Sequence, residues 1–293
     1  MGIIAFDIGG SAVKYGVYEA DELQAKGKFT TPKDWETMLT QLEGVCAQMR
    51  VDFTLTGAAF SVPGAVDQSR GRIDGISAVP YIHEVAFEQI LQTRLGMPIS
   101  LENDANCAAL AEVWLGAAKN NQNVLVVVAG SGIGGGVIID RQLQRGAHLY
   151  GGEFGIMVLD RGKTFSELGT PVAMARRYSI AMGKTYSGEE VFALAEAGEE
   201  SAKAEVEKFY HFLTLGLYNL QFMLDPEKII LGGGVTAKAG LKQEIDRRMR
   251  LFCEAMKLTD FDPIIEICHF KNDANLIGAV ANFLEKQKKY SNA

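Results

Sequence analysis

Several features that mark specialised classes of protein are missing from this sequence. No apolar run approaches the roughly 18 residues that a membrane-spanning helix requires. The four cysteines, Cys46, Cys107, Cys253 and Cys268, lie in apolar segments without Cys-x-x-Cys spacing, which is typical of buried free thiols in a reducing compartment. The net charge of −7 disfavours a general nucleic-acid binder. The N-terminus carries no basic leader or cleavage site, so we expect a cytoplasmic protein with neither a membrane nor a nucleic acid as partner.

What is present is the composition of an ordinary globular protein. Hydrophobic residues make up 47% and charged residues 22% of the 293-residue chain, which suffices for one large or two medium domains with apolar cores. Strand-like and helix-like apolar patterns alternate, and several strands end in glycine-rich or polar segments. The loops after the strands of an open α/β sheet are where ligands bind, so these segments are the candidate sites.

The most distinctive segment runs from Val124 to Gly136, VLVVVAGSGIGGG. Its consecutive valines predict a strand buried on both faces, and its five glycines predict a tight turn at which a ligand approaches the backbone. Extended structure resumes at 137–139, so we predict strand–turn–strand rather than the strand–turn–helix of P-loops and dinucleotide folds. Backbone N–H groups in such a turn suit phosphate oxygens. The alternative is a glycine-rich hairpin without a ligand.

The N-terminus repeats this design, because an apolar strand ending at Ile8 is followed by Gly9-Gly10-Ser11 and a second strand-like segment. The repetition indicates an internally duplicated fold with a cleft between the halves. Asp7 lies inside the first strand, where a carboxylate needs a partner or a metal. Lys14 could return to the turn and meet a phosphate. Taken alone, Asp7 could equally cap the turn, and Lys14 could be a solvated strand residue.

A second polar cluster, Glu102 to Asn106, lies between a short strand and an alanine-rich helix. Asp104 occupies the position of a helix N-cap, so one interpretation is that it only caps the helix. The other makes it a general base, a role that contributes about 10²–10⁴ in rate. Further along, glycines flank Glu153 on both sides, so we expect a tightly constrained backbone to present its carboxylate.

These motifs occur in an order similar to that of the ROK family of bacterial sugar kinases and regulators, over nearly the whole chain. The matching segments are DIGGSAVKYGV at Asp7, SVPGAVD at Ser61, ENDANCAAL at Glu102, AGSGIGGG at Ala129, GGEFG at Gly151 and, more weakly, LGGGV at Leu231. The resemblance implies an α/β protein with the duplicated actin/hexokinase-like (ribonuclease H-like) ATPase fold. We expect an N-terminal domain over 1–115, completed by a helix at 275–293, and a larger domain over 116–274.

The resemblance also implies the role of each matching residue in phosphoryl transfer from ATP, a reaction governed by positioning and charge neutralisation. On the phosphate side, Asp7 organises Mg²⁺ through water, and the ATP phosphates lie against Gly9, Gly10, Ser11 and Lys14. The opposing phosphate turn contains Ser131 and Gly132, and the adenosine side contains Gly233 and Gly234. The sugar lies near Gly64, Asn103, Asp104 and Glu153, with Asp104 as the base.

Two departures from the family pattern bear on the substrate. Ile156 stands where many members have a zinc-binding histidine, and residues 157–170 contain neither cysteine nor histidine, so we predict no zinc site. Glu167 replaces a second sugar-binding glutamate of that loop if the alignment contains a small deletion. Zinc-free members resemble β-glucoside kinases, so the first expectation is a kinase for the 6-hydroxyl of a β-glucoside such as cellobiose.

Three alternatives to this substrate and function stay open. The acceptor could be glucose or N-acetylmannosamine instead. The family also contains sugar-responsive repressors, which carry a DNA-reading module ahead of the first phosphate motif; the position of Asp7 and the negative charge disfavour that class. A sugar-binding protein without catalysis is the third alternative. Members are often homodimers, which we carry as an expectation.

Overall fold

The computed structural model describes residues 2–83 and 85–291, with the backbone alone at 290 and 291. Its strands are β1 (Gly2–Ile8), β2 (Ala12–Glu19), β3 (Glu22–Thr30), β4 (Leu55–Val62), β5 (Ala65–Asp67), β6 (Arg72–Asp74), β7 (Ile99–Asn103), β8 (Val124–Ala129), β9 (Ile133–Ile139), β10 (Gln142–Leu143), β11 (Val158–Asp160), β12 (Lys163–Thr164), β13 (Lys228–Gly232) and β14 (Ile265–Ile267). Its α-helices are α1 (Trp35–Met49), α2 (Phe87–Leu95), α3 (Asp104–Trp114), α4 (Phe165–Leu168), α5 (Pro171–Met182), α6 (Gly188–Glu196), α7 (Glu200–Leu224), α8 (Leu241–Ala255) and α9 (Ala274–Ser291). Short 3₁₀ turns cover Pro80–Ile82, Phe154–Ile156, Gly234–Ala237 and Lys271–Asp273.

The chain divides into two compact units, the first formed by residues 1–119, 145–151 and 272–293, the second by 120–144 and 152–271. The first unit therefore includes residues 145–151, which the sequence pattern assigned to the second domain. The reason is an ion pair between Arg145 and Glu102 of β7, which ties that segment to the first unit. In the described part of the chain, no helix has the length and apolar character needed to cross a bilayer.

Unit 1 is built on a five-stranded sheet in the order β3-β2-β1-β4-β7. The first three strands form an antiparallel meander, whereas β1, β4 and β7 are parallel. One face is covered by α1 and α2 around Phe6 and Phe60, and the other by α3 and α9. The last two helices pack so closely that a Cβ at Gly278 would overlap the carbonyl of Cys107.

Unit 2 repeats this plan with a sheet in the order β10-β9-β8-β13-β14. Here β8, β9 and β10 are antiparallel, and β13 runs parallel to both β8 and β14. Its core includes Phe165, Phe209 and Leu213, all without solvent exposure. The recurrence of an antiparallel hairpin followed by parallel strands agrees with the predicted duplication and with strand–turn–strand at both glycine segments.

The central glycine segment differs from the prediction in one respect. The turn contains only residues 130–132, and Gly134, Gly135 and Gly136 lie inside β9. A side chain at Gly135 would overlap the ring of Phe154, and one at Gly152 would overlap the carbonyl of Gly135. Gly135 therefore makes room for the segment around Glu153, which packs directly on β9, and the three strand glycines do not form the turn.

Candidate active site

Asp7 is held at the carboxyl end of β1 by contacts from three other elements. Its Oδ1 accepts hydrogen bonds from Ser61 Oγ at 2.9 Å and from Asn275 Nδ2 at 3.0 Å. Its Oδ2 meets Lys14 Nζ at 3.4 Å, across the β1–β2 pair. The side chain is only 10% exposed, so these partners offset the cost of burying the carboxylate. The contact from Asn275 was not predicted, because that residue lies 268 positions away.

The turn after β1 is fixed from outside the hairpin. Thr31 Oγ1 donates to the carbonyl of Gly9 at 2.5 Å, and Thr31 N donates to the carbonyl of Ser11 at 3.2 Å. Gly10 and Ser11 are exposed, and a Cβ at Gly10 would lie 2.7 Å from that of Ala78. The turn is thus held by hydrogen bonds from Thr31 and faces solvent, which suits a phosphate-binding turn.

Asn103, rather than Asp104, is the N-cap of α3. Asn103 has extended backbone angles, and its Oδ1 accepts from the backbone N–H groups of Ala105 at 2.9 Å and Asn106 at 3.1 Å. Asp104 is the first helical residue, and its Oδ1 accepts from Ala105 N at 2.8 Å. The interpretation of Asp104 as a plain cap is therefore wrong, because the turn out of β7 gives Asn103 the cap geometry. A carboxylate in the first helical turn is further stabilised by the helix dipole.

Gly64 lies beside Asn103, and the family resemblance assigns both residues to the sugar side. Asn103 Nδ2 donates to the carbonyl of Gly64 at 3.0 Å. Gly64 has φ +103°, and a Cβ there would lie 2.9 Å from the carbonyl oxygen of Asp74. Only glycine suits this conformation without strain. The loop after β4 and the start of α3 are thereby joined through one amide.

Glu102, immediately before Asn103, anchors a buried polar network that the sequence alone did not identify. Its side chain is 1% exposed. Oε1 accepts from Asn103 N at 2.9 Å and Asn106 Nδ2 at 3.0 Å. Oε2 accepts from Arg145 Nε at 2.7 Å and Gln68 Nε2 at 2.8 Å. The motif contained Glu102, but Gln68 and Arg145 come from distant segments, so only the fold could show that Glu102 joins them to the start of α3.

In unit 2, two glycine turns follow the carboxyl ends of neighbouring strands. Because β8 and β13 are parallel neighbours, the 130–132 turn and Gly233 follow adjacent strand ends. A Cβ at Gly233, which has φ +92°, would overlap the backbone of Ala129. Thr236 Oγ1 donates to the carbonyl of Gly233 at 2.8 Å and fixes the start of the 3₁₀ turn. The structure thus brings Ser131 and Gly132 close to Gly233 and Gly234.

A cavity of about 670 Å³ opens beside Gly234, lined by residues that include Pro171, Gly188, Phe192, Val235 and Lys238. Its size lies in the range of small-molecule sites. The walls are mainly apolar, with Glu189, Glu196 and Lys238 as charged members. Lys238 Nζ pairs with Glu196 Oε1 at 2.6 Å.

Glu153 projects from the turn that packs on β9. The turn is pinned by Phe154, which is 6% exposed, and by Gly155, where a side chain would overlap the carbonyl of Ile133. Glu153 itself is exposed, and partial desolvation by the surrounding protein raises the pKa of its carboxyl group. The glycines flanking Glu153 therefore fix its backbone tightly, as expected.

Glu167 has a local role in the structure. Its carboxylate accepts from Thr164 N at 2.9 Å and Thr164 Oγ1 at 3.1 Å, forming a capping box at α4. The hydrogen bond from the Thr164 backbone is the main reason that the pKa of Glu167 is lowered. Ile156 is 63% exposed. Within 2–83 and 85–291, no group of three or more His, Cys, Asp or Glu residues has an arrangement that could hold a metal ion.

Comparison with known proteins agrees with this architecture. The ROK family profile matches residues 3–286. Beta-glucoside kinase of Listeria innocua is 34% identical, over 99% of this chain and 100% of that protein, and the enzyme of the same name from Klebsiella pneumoniae is 35% identical, over 97% and 96%. The crystal structure of a ROK family protein from Streptococcus pneumoniae in complex with sucrose superposes with a TM-score of 0.90, at 35% identity over 99% of this chain and 100% of that one. The chain therefore has the predicted duplicated actin/hexokinase-like fold and belongs to the ROK family.

Proposed function

We propose that this protein is an ATP-dependent carbohydrate kinase that transfers the γ-phosphoryl group to the 6-hydroxyl of a sugar. The observation that carries the proposal is full-length similarity, at 34–35% identity, to three beta-glucoside kinases. The geometry of the chain supports it at the three places where such a reaction needs protein groups: the phosphates, the nucleoside and the attacking hydroxyl.

On the phosphate side, we assign Asp7, Gly9, Gly10, Ser11 and Lys14. The donor chemistry around Asp7 fits Mg²⁺ held through water, since Mg²⁺ retains most of its waters and takes only one or two carboxylates. Ser61 and Asn275 fix one oxygen of Asp7, whereas the other lies 3.4 Å from Lys14 Nζ. Bound Mg²⁺ would neutralise charge on the β- and γ-phosphate oxygens.

On the nucleoside side, we assign the 670 Å³ cavity beside Gly234 to the adenosine of ATP. Gly234 borders it, and Gly233 directly precedes Gly234. Ser131 and Gly132 follow the adjacent strand, where backbone N–H groups suit phosphate oxygens. A single nucleotide could then contact both turns, because they leave neighbouring strands of one sheet.

On the sugar side, Asp104 is the proposed general base. It takes the proton of the 6-hydroxyl as the hydroxyl oxygen forms a bond to the γ-phosphorus and the bond to the ADP oxygen breaks. Asn103 fits a sugar contact through the second hydrogen of its amide, because the first is used by Gly64. Glu153 is the further sugar contact that we propose. Glu167 is the second proposed sugar contact; its Oε2 is held in the capping box, and its Oε1 lies 3.4 Å from Lys163 Nζ.

The acceptor that we propose is a β-glucoside such as cellobiose, with glucose and N-acetylmannosamine as alternatives. Beta-glucoside kinases match at 34–35% identity, whereas N-acetyl-D-glucosamine kinases match at 26–27% over 83% of the chain. A coupled assay of ADP release tests both the kinase activity and the choice of acceptor. It uses Mg·ATP with cellobiose, glucose, N-acetylmannosamine, N-acetylglucosamine and sucrose. We expect the highest kcat/KM with cellobiose; calorimetric sugar binding without ADP release from any of the five would instead indicate a non-catalytic sugar-sensing regulator.

We further infer a cytoplasmic homodimer. The four cysteines are free and buried, in keeping with a reducing compartment. Unit 2 exposes the large apolar side chains of Phe222, Met223, Met256, Phe261 and Ile264 to 37–66% each, and the rings of Phe222 and Phe261 lie 5.4 Å apart. Exposed apolar groups that lie together commonly mark protein interfaces. Light scattering at micromolar concentration should give twice the chain mass; the mass of a single chain would contradict the inference.

A further inference from the structure

The short helix α4 contacts two turns of unit 2: the 130–132 turn, which the proposed function assigns to phosphate, and the turn that carries Glu153, which it assigns to sugar. Ser166, its second residue, accepts a hydrogen bond at Oγ from the backbone N–H of Ile133 at 2.9 Å. Ile133 is the first residue of β9, directly after the 130–132 turn. One side-chain hydroxyl therefore binds the backbone at the point where that turn ends and the strand begins.

The same hydroxyl touches the turn that carries Glu153. A Cβ at Gly155 would overlap Ser166 Oγ and the carbonyl oxygen of Ile133. On the other side, a Cβ at Gly132 would lie 3.4 Å from Ser166 Oγ. Gly132, Gly155 and Ser166 thus form one closely packed junction, and at Gly155 no side chain larger than hydrogen fits.

Ser166 is held in place by its neighbours in α4. Phe165 is fully buried in the core of unit 2, and Gly169 and Gly216 leave space for its ring, since a Cβ at either would overlap it or lie within 3 Å of it. The carbonyl of Ser166 accepts from Thr170 Oγ1 at 3.0 Å, and the capping box of Thr164 fixes the first turn. The hydroxyl is therefore presented by a rigid support.

We propose that Ser166 is a positioning residue that links the geometry of the 130–132 phosphate turn to that of the Glu153 turn. This inference rests on the proposed function, which places ATP phosphates at one turn and sugar at the other. Ser166 touches neither substrate. Its loss leaves the Ile133 N–H without its acceptor and opens space at Gly155, so both turns lose their fixed positions. Displacements of about 1 Å in a phosphoryl-transfer site can lower the rate about 10²-fold.

Ser179 offers a matched control in the same unit. Its Oγ accepts from the backbone N–H of Tyr186 at 2.9 Å, the same bond at the same length, and both serines are partly buried. Ser179 contacts neither of the two turns in any hydrogen bond described for it. Ser166→Ala and Ser179→Ala should therefore lower the melting temperature by similar small amounts, but should differ in kinetics.

Steady-state kinetics of Ser166→Ala should show kcat/KM reduced at least tenfold for both ATP and sugar, while Ser179→Ala stays within twofold of wild type. Ser166→Cys keeps a weaker acceptor and should fall between. Equal kinetics of the two alanine variants, or an effect of Ser166→Ala confined to one substrate, would overturn the inference. Binding of a fluorescent ATP analogue tests the proposed function separately from the role of Ser166. Absence of binding to wild type refutes the proposed function. Tight binding to wild type that is undiminished in Ser166→Ala refutes only the role of Ser166.

Discussion

Replacing Arg145 by methionine should destabilise unit 1 far more than the loss of an exposed ion pair would. Arg145 reaches Glu102 with Nε at 2.7 Å and Nη2 at 2.6 Å, and the side chains are 27% and 1% exposed, respectively. Removing one partner of a buried pair costs about 3–5 kcal/mol, because the remaining charge stays buried without compensation. Glu102 retains donors from Asn103, Asn106 and Gln68, so we expect the lower end, about 3 kcal/mol.

Arg94 provides the control, because it makes an equally well-formed contact at the surface. Its Nε and Nη2 lie 2.6 and 3.0 Å from the two carboxylate oxygens of Glu43, but the side chains are 37% and 35% exposed. Water can replace either partner there, so exposed pairs contribute little. Arg94→Met should therefore shift the unfolding transition by less than a third of the change produced by Arg145→Met.

Urea unfolding followed by circular dichroism and tryptophan fluorescence measures both variants against wild type. The double variant Glu102→Gln/Arg145→Met should recover part of the loss, since it no longer buries an uncompensated charge. Glu102 also accepts from the backbone of Asn103, next to Asp104, so kcat should fall in Arg145→Met and not in Arg94→Met. Equal stability losses in the two single variants would refute the argument that burial, rather than contact geometry, determines the strength of the pair.

Three further predictions concern the proposed site. Asp104→Asn should fold and bind sugar normally but lose about 10²-fold or more of kcat; turnover near that of wild type would remove Asp104 as the base. Desolvation in the folded state raises the pKa of Glu153 above its usual 4.5. The protonated carboxyl group therefore contributes its full stability below pH 4.5, and this contribution is lost as the pH rises through the pKa of the folded state. Glu153→Gln should consequently gain stability relative to wild type as the pH rises from 4 to neutrality. A difference in unfolding free energy between variant and wild type that stays the same over this range would contradict the prediction. Elemental analysis should find no stoichiometric zinc, and treatment with a chelator should leave the melting temperature unchanged; one zinc per chain would show that the interpretation of residues 156–170 is wrong.

The sequence by itself determined the local elements and their order. Alternating apolar patterns and glycine clusters depend only on nearest neighbours and on backbone freedom, so both strand–turn–strand segments and most helices could be predicted. The ordered motifs were enough to identify the family and the fold. They also placed Asp7, Asp104 and Glu153 at the ends of strands or beside glycine turns, where the structure has them.

What only the tertiary structure decided are the contacts between residues far apart in the chain. No local pattern pairs Asp7 with Asn275, Glu102 with Arg145, or Ile133 with Ser166, because each depends on how strands and helices are packed. The choice of Asn103 over Asp104 as the cap depended on backbone angles at the end of β7. Gly135 lies in β9 and leaves space for the ring of Phe154 instead of forming the turn. Periodicity and turn residues reflect the local backbone preferences of each segment. The environment of a buried side chain instead depends on segments that only folding brings together.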